Sequence, residues 1–240
     1  MTAAWDYFDK IYCISLSHRT DRREEAGRQF AAVGLSGKVE FFIVEKDSED
    51  PERGCYESHL ACLRRGLEAG AESIAVFEDD ILFDRFTPER LNRAVSFCRD
   101  HKRFHMLFLG CLVARSRRTD YPGIRGISYR CLTHAYVVHR RFAEVLVRRP
   151  WQNVAYDDFL RSFPQGEMYA LCPSFAFQSS SRTDNLKLKR LDSVRRLLGG
   201  LQRIQKMNEF YHRRRFLVIG AHVLLVLLIL LVLFIMRAVP

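Results

Sequence analysis

Three adjacent carboxylates, Glu78, Asp79 and Asp80, interrupt an apolar run that reads SIAVFEDDILFD over residues 73–84. Carboxylates packed this closely repel one another unless a cation or a hydrogen-bond network offsets the repulsion. A hard divalent ion, Mg²⁺ or Mn²⁺, is bound by one or two carboxylates together with phosphate oxygens of a substrate. Asp80 and Asp79 are the candidate metal ligands; the alternative is a solvated strand end. A second carboxylate pair, Asp157 and Asp158, stands in AYDDFL. One of them, with Asp158 preferred, has the chemistry to take a proton from a hydroxyl, or the two cap a short helix. Arg19 and Arg22 have the charge and geometry to grip phosphate, or lie on a solvated helix face. Ser58 and His59 open a helix, where a histidine either packs or binds a ligand.

The elements that must position these residues follow from pattern. KIYCISL, residues 10–16, is apolar and β-branched and predicts a strand. A helix ending at Gly34 follows, with Ser17, Thr20 or Asp21 as caps. VEFFIVEK predicts a second strand, and the charged DSEDPERG a loop. Leu60, Leu63 and Leu67 place a helix over residues 55–70. SIAVFEDD is the third strand. Thr87 and Pro88 open the next helix as N-cap and first position. FHMLFLG is a strand, residues 114–130 a polar loop, THAYVVHRRFAEVLVRRP a strand feeding a helix, and MYALCPSFAFQ a last strand. Strands alternating with helices predict an α/β domain with a mostly parallel sheet. Ligands bind at the carboxyl ends of strands in such sheets, which is where the three carboxylates fall.

Charge separates body from tail. Residues 1–181 hold 26 Lys and Arg against 25 Asp and Glu, whereas residues 182–240 hold 12 against 3. The near-neutral body argues against a nucleic-acid partner, and the basic tail points to a membrane surface. Over residues 186–215, Leu191, Val194, Leu198, Leu201, Ile204 and Met207 recur at helical spacing among basic residues, which predicts a basic amphipathic helix. Residues 216–236 carry no Asp, Glu, Lys or Arg and are long enough to cross a bilayer. Arg213, Arg214 and Arg215 precede this stretch and Arg237 follows it, so the positive-inside bias keeps the N-terminal domain cytoplasmic. The start, MTAAWDYFDKIYC, does not read as a secretory signal. Seven scattered cysteines without a CxxC pair suit a reducing compartment and core packing rather than zinc.

Several segments together resemble one family. ISLSHRTDRR resembles the I-N-L-x-x-R-x-x-R opening of glycosyltransferase family 25, with Ser15 in place of the usual Asn. Residues 54–81, GCYESHLACLRRGLEAGAESIAVFEDDI, resemble its most specific block: Gly-Cys-x-x-Ser-His, a helix, a strand, then Glu-Asp-Asp. THAYVVHRRFAEVLV resembles T-x-x-Y-V-I-S-x-x-G-A, with Phe142 where glycine is common; AYDDFL resembles P-V-D-x-F-L; and FQSSSRTD resembles the closing strand. The resemblance covers residues 8–185 in order.

It implies a GT-A-like, Rossmann-type mixed sheet flanked by helices over residues 1–185, to which the pattern of the tail adds the 186–215 juxtamembrane helix and the 216–236 transmembrane helix. It also implies inverting transfer of a hexose, often galactose, from a nucleotide sugar such as a UDP-sugar. The acceptor would be a glycan or glycolipid, lipopolysaccharide among them, at a bacterial inner membrane. Under this reading Arg19, Arg22, Ser58, His59, Glu78 and Asp79 bind the donor. The departures at Ser15 and Phe142 leave room for a non-catalytic, membrane-tethered relative of the same fold.

Overall fold

The computed structural model describes residues 4–179 and 199–238. The expected mixed α/β architecture is present. β1 (Lys10–Leu16), β2 (Glu40–Val44), β3 (Ser73–Glu78), β5 (Met106–Phe108), β6 (Leu112–Arg118), β7 (Ile124–Cys131), β8 (Ala135–His139) and β9 (Met168–Leu171) form one sheet. Its order is β2-β1-β3-β8-β5-β9-β7-β6. β4 (Ile81–Phe83) and β10 (Ala176–Gln178) make a separate antiparallel ribbon. The helices are α1 (Thr20–Ala32), α2 (Pro51–Glu68), α3 (Pro88–Asp100), α4 (Arg140–Val147), α5 (Tyr156–Arg161) and α6 (Gly200–Ala238).

β3 shows why this sequence builds a two-sided sheet. Successive side chains of a strand point to opposite faces. Ala75 and Phe77 enter one apolar cluster with Trp5, Phe30 and Phe97, while Ile74 and Val76 enter another with Leu60, Leu63 and Leu146. Both faces are covered by helices, so the strand has no polar side until Glu78 ends it. β3 lies parallel to β1, which places the ends of both strands at the same edge of the sheet.

Four expectations need correction. The sheet is not mostly parallel: β1–β2, β1–β3 and β5–β9 are parallel, but β3–β8, β5–β8, β6–β7 and β7–β9 are antiparallel. Residues 114–130 are not a loop but mostly the β6–β7 hairpin. β6, LVARSRR, forms the sheet's edge, so its outer residues stay polar and no apolar run marks it. The segment 168–178 is two strands in two sheets rather than one. α2 also begins earlier than its leucines suggest, because the Asp50 side chain accepts from Glu52 N–H at 2.9 Å and Pro51 occupies the first position.

The described part of the juxtamembrane segment is docked on the domain by a polar face. Gln205 is buried, and its Nε2 donates to Ala176 O at 2.9 Å. Asn208 Oδ1 accepts from Val113 N–H and its Nδ2 donates to Val113 O, each at 3.0 Å, so one side-chain amide satisfies a residue of the edge strand. Glu209 accepts from Ser174 N–H at 3.0 Å and pairs with Arg85 at 3.4 Å. Gly110 permits the approach, since a Cβ there would collide with the Ala176 carbonyl oxygen and the Gln205 side chain. The expected apolar stripe is divided: Leu201 and Ile204 are half-buried, whereas Met207 is 60% exposed. Leu191, Val194 and Leu198 lie outside the described residues. α6 breaks at Arg214 and continues as a fully exposed apolar helix, long and apolar enough to cross a membrane.

Asn208→Ala is expected to leave Val113 without its paired amide and to loosen the docked turn. Tryptic cleavage at Arg203 and Lys206 of the full chain should then accelerate several-fold; unchanged cleavage would contradict this docking.

Candidate active site

The ends of β1 and β3, the start of α2, and α5 surround a cavity of about 530 Å³. Glu78 closes β3, and its N–H donates to His134 O at 3.0 Å. Asp79 N–H donates to Ile14 O at 3.1 Å, and Asp80 O accepts from Ser179 N–H at 2.7 Å. The chain therefore turns sharply between β3 and β4, and all three carboxylates line the cavity.

The three carboxylates meet several partners, and Arg22 serves two of them. Glu78 Oε1 lies 3.4 Å from His59 Nε2 and accepts from the Thr133 hydroxyl at 3.3 Å. Arg22 Nη1 lies 3.1 Å from Asp79 Oδ1 and 3.5 Å from Asp80 Oδ2, bridging the two. Gln178 Nε2 donates to Asp80 Oδ2 at 2.8 Å, while the buried Asp80 Oδ1 has no hydrogen-bond partner. Burial raises the Asp80 carboxyl, the Glu78 charge adds to this, and the result is about 7. Burial likewise raises Asp79, against the lowering pull of Ser15 and Arg22. Glu78 is also pushed up by burial, but His59, His134 and Thr133 outweigh that and leave it below its ordinary value.

His59 is a buried strut. Its Nδ1 lies 3.0 Å from the Tyr136 hydroxyl, and its ring stacks on Tyr156 with centroids 4.2 Å apart. Ser58 donates to Gly54 O at 2.6 Å within its own helix. In α5, Asp157 accepts from the Tyr129 hydroxyl and from Leu132 N–H. Burial raises its carboxyl above the ordinary range. Its neighbour Asp158 is half exposed and pairs with Arg161 one helical turn on.

Eight of the nine residues singled out in the sequence line this one cavity: Arg22, Ser58, His59, Glu78, Asp79, Asp80, Asp157 and Asp158. Arg19 is outside its lining; it makes a two-pronged contact with Asp21, 3.0 Å at each prong. Arg22 reaches the cavity as the counter-charge of Asp79 and Asp80. Sequence reasoning missed Thr133, His134, Gln178, Gly200 and Leu201 as lining residues. The first three stood inside segments that resemble the family; burial pulls the His134 imidazole below its ordinary value. Gly200 and Leu201 come from the docked helix; Leu201 stood in its apolar spacing, but nothing local relates either residue to the cavity. Among the described residues, no group of three or more His, Cys, Asp or Glu forms a ready metal cage.

The comparisons with known proteins agree with the resemblance read from the sequence. A family model described as glycosyltransferase family 25 (LPS biosynthesis protein) matches residues 44–160, a span that includes every lining carboxylate. Procollagen galactosyltransferase 1-A of Xenopus laevis is 25% identical over 171 residues, covering 58% of this chain and 28% of that protein. Inactive glycosyltransferase 25 family member 3 of Homo sapiens is 25% identical over 185 residues, covering 64% and 31%. The chain thus spans less than a third of the length of these relatives. Among solved structures, A197 from STIV matches with a TM-score of 0.47 at 14% identity, covering 70% of this chain and 85% of that one. A glycosyltransferase involved in glycosylation of the major capsid of PBCV-1 matches at 0.44 and 12%, covering 78% and 99%. Likenesses this distant support no argument about the site. The family model and the curated relatives support kinship with glycosyltransferase family 25.

If His59 and Glu78 act as one unit, a double-mutant cycle of His59→Ala and Glu78→Gln should show a coupling of about 1 kcal/mol or more in thermal denaturation. Additive losses would show that the two side chains are independent.

Proposed function

We propose, from this kinship with glycosyltransferase family 25, that the chain transfers a hexose, galactose foremost, from a nucleotide-sugar donor to a glycan acceptor. The observation that carries the reading is the convergence of Glu78, Asp79 and Asp80 with Asp157 and Asp158 on one cavity. Two carboxylate groups from different elements, the end of β3 and α5, suit a displacement in which one handles the leaving group and the other the nucleophile.

In this reading the acceptor hydroxyl attacks the anomeric carbon and the C1–O bond to the diphosphate breaks. The nucleoside diphosphate departs from the opposite face, so the configuration inverts. Asp158 takes the hydroxyl proton: it faces the cavity from α5 and stays accessible beside Arg161. Asp157, held by Tyr129 and Leu132, positions that helix. His59 fixes Glu78 through the 3.4 Å contact and sets the floor on which a donor sugar rests.

A divalent cation, Mn²⁺ or Mg²⁺, fits the residues present. Asp80 is buried with one oxygen unpartnered, and Asp79 and Asp80 share the guanidinium of Arg22. Such an ion needs only one or two protein carboxylates when substrate phosphates complete its shell, so a ready cage is not required. Asp79 and Asp80 would hold it. Bound there, it would act as a Lewis acid on the leaving diphosphate.

We further read residues 216–236 as a single membrane anchor, with the domain on the cytoplasmic side because Arg213, Arg214 and Arg215 precede the span and only Arg237 follows. A bacterial inner membrane and a lipopolysaccharide-type or other surface glycan suit this arrangement. A second reading, binding without turnover, is favoured by the relative named inactive. Of the two sequence departures, Phe142 is part of the core and stacks on His105, away from the cavity lining.

The test is release of UDP from UDP-galactose and related UDP-sugars by the full chain in detergent. Turnover should stop with EDTA and return with Mn²⁺ or Mg²⁺. Asp80→Asn and Asp158→Asn should each lower it by about 10²-fold or more. UDP binding without turnover would favour the second reading, and consumption of no nucleotide sugar would sink the first.

A further inference from the structure

A second recess, of about 230 Å³, lies between the β6–β7 turn and the docked part of α6. Three of its lining residues are arginines from three different elements: Arg118 ends β6, Arg125 lies in β7, and Arg213 sits in the last turn before the break at Arg214. Arg118 and Arg125 are direct cross-strand partners in the hairpin register. Like charges directly opposite in an antiparallel pair destabilise it. Arg213 faces them from the helix, and Arg93 of α3 reaches Gly123 in the same turn, where a Cβ would lie 3.5 Å from its Nη1. The carboxylate recorded beside this group is Glu209, 3.7 Å from Arg213, and it already serves Arg85 and Ser174 N–H. Asp120, in the same turn, is exposed and outside the recess lining.

The recess is thus a concentration of positive charge built from distant parts of the chain. Its location says what would neutralise it. Arg213 stands three residues before the apolar stretch 216–236, so in a membrane-anchored chain the recess lies at headgroup level. Guanidinium groups pair with phosphate oxygens in forked geometry, and a basic cluster beside a span attracts anionic lipid. We propose that this recess is a binding site for the phosphate of an anionic membrane lipid. The proposal rests on the membrane anchoring read above and not on the transferase reading. The bound phosphate bridges Arg118 and Arg125, relieves their repulsion, and ties the β6–β7 hairpin to the helix at the bilayer surface.

The test is native mass spectrometry of the full chain in detergent with added phosphatidylglycerol or phosphatidylcholine. Wild-type protein should retain phosphatidylglycerol preferentially. Removing each arginine should weaken retention by roughly fivefold, following the attraction of about 1 kcal/mol per basic side chain. The combined Arg118→Gln, Arg125→Gln and Arg213→Gln variant should all but lose it. Arg214→Gln with Arg215→Gln, outside the recess, should change it little; an equal loss there would overturn the proposal in favour of diffuse attraction. In phosphatidylcholine the combined variant should melt no lower than wild type, because a like-charge contact has been removed. A lower midpoint would assign the arginines to the fold and overturn the lipid site. Displacement of phosphatidylglycerol by millimolar inorganic phosphate would assign the recess to a soluble anion instead. Carbonate extraction of wild-type protein from membranes checks the anchoring on its own: retention is expected, and release would remove the premise.

Discussion

Burying a run of three carboxylates at the end of a strand is the constraint around which this domain is arranged. β3 is apolar on both faces, so its end arrives in a region closed off from bulk solvent on several sides. Glu78, Asp79 and Asp80 must find partners there, and each draws on a different element. α1 supplies Arg22, α2 supplies His59, the segment before β8 supplies Thr133, and β10 supplies Gln178. A buried charge without a partner costs several kcal/mol, so these contacts fix how the helices and the ribbon meet the sheet edge. What remains unsatisfied among the three is one oxygen of Asp80.

The same logic separates enclosed side chains from accessible ones. His59 is fully enclosed, stacked on Tyr156 and held by Tyr136, so it acts through Glu78. Ser58 turns its hydroxyl back into α2 and serves the helix start. Asp157 and Asp158 are neighbours with opposite environments: one is locked between Tyr129 and Leu132, the other lies at the helix surface. Adjacent positions on a short helix point in different directions, and this splits one pair of carboxylates into an enclosed member and an accessible one.

Much of this was legible in the sequence because it was local. β3 was visible as an apolar run, α3 by Thr87 and Pro88, and the carboxylates by their abrupt placement. The edge hairpin was not, because an exposed edge strand such as LVARSRR carries polar residues and resembles a loop. The partnership of Arg22 with Asp79 and Asp80 spans 57 residues to Asp79, and no spacing rule reports contacts of that range. The docking of α6 was hidden for a related reason. Its docking contacts come from Gln205, Asn208 and Glu209, and the apolar spacing of Leu201, Ile204 and Met207 does not report a face that docks by hydrogen bonds to a strand edge.

That polar docking links the two ends of the described juxtamembrane helix. Its first residues, Gly200 and Leu201, wall the large cavity, and its last turn brings Arg213 to the basic recess. The segment between them is about 14 residues, or roughly 20 Å of helix at ~1.5 Å per residue. Gln205, Asn208 and Glu209 bind it to β10, β6 and the segment before β10, so this length is part of the domain and not a tether. With the span anchored in a bilayer, the cavity would stand at most about this far from the headgroups.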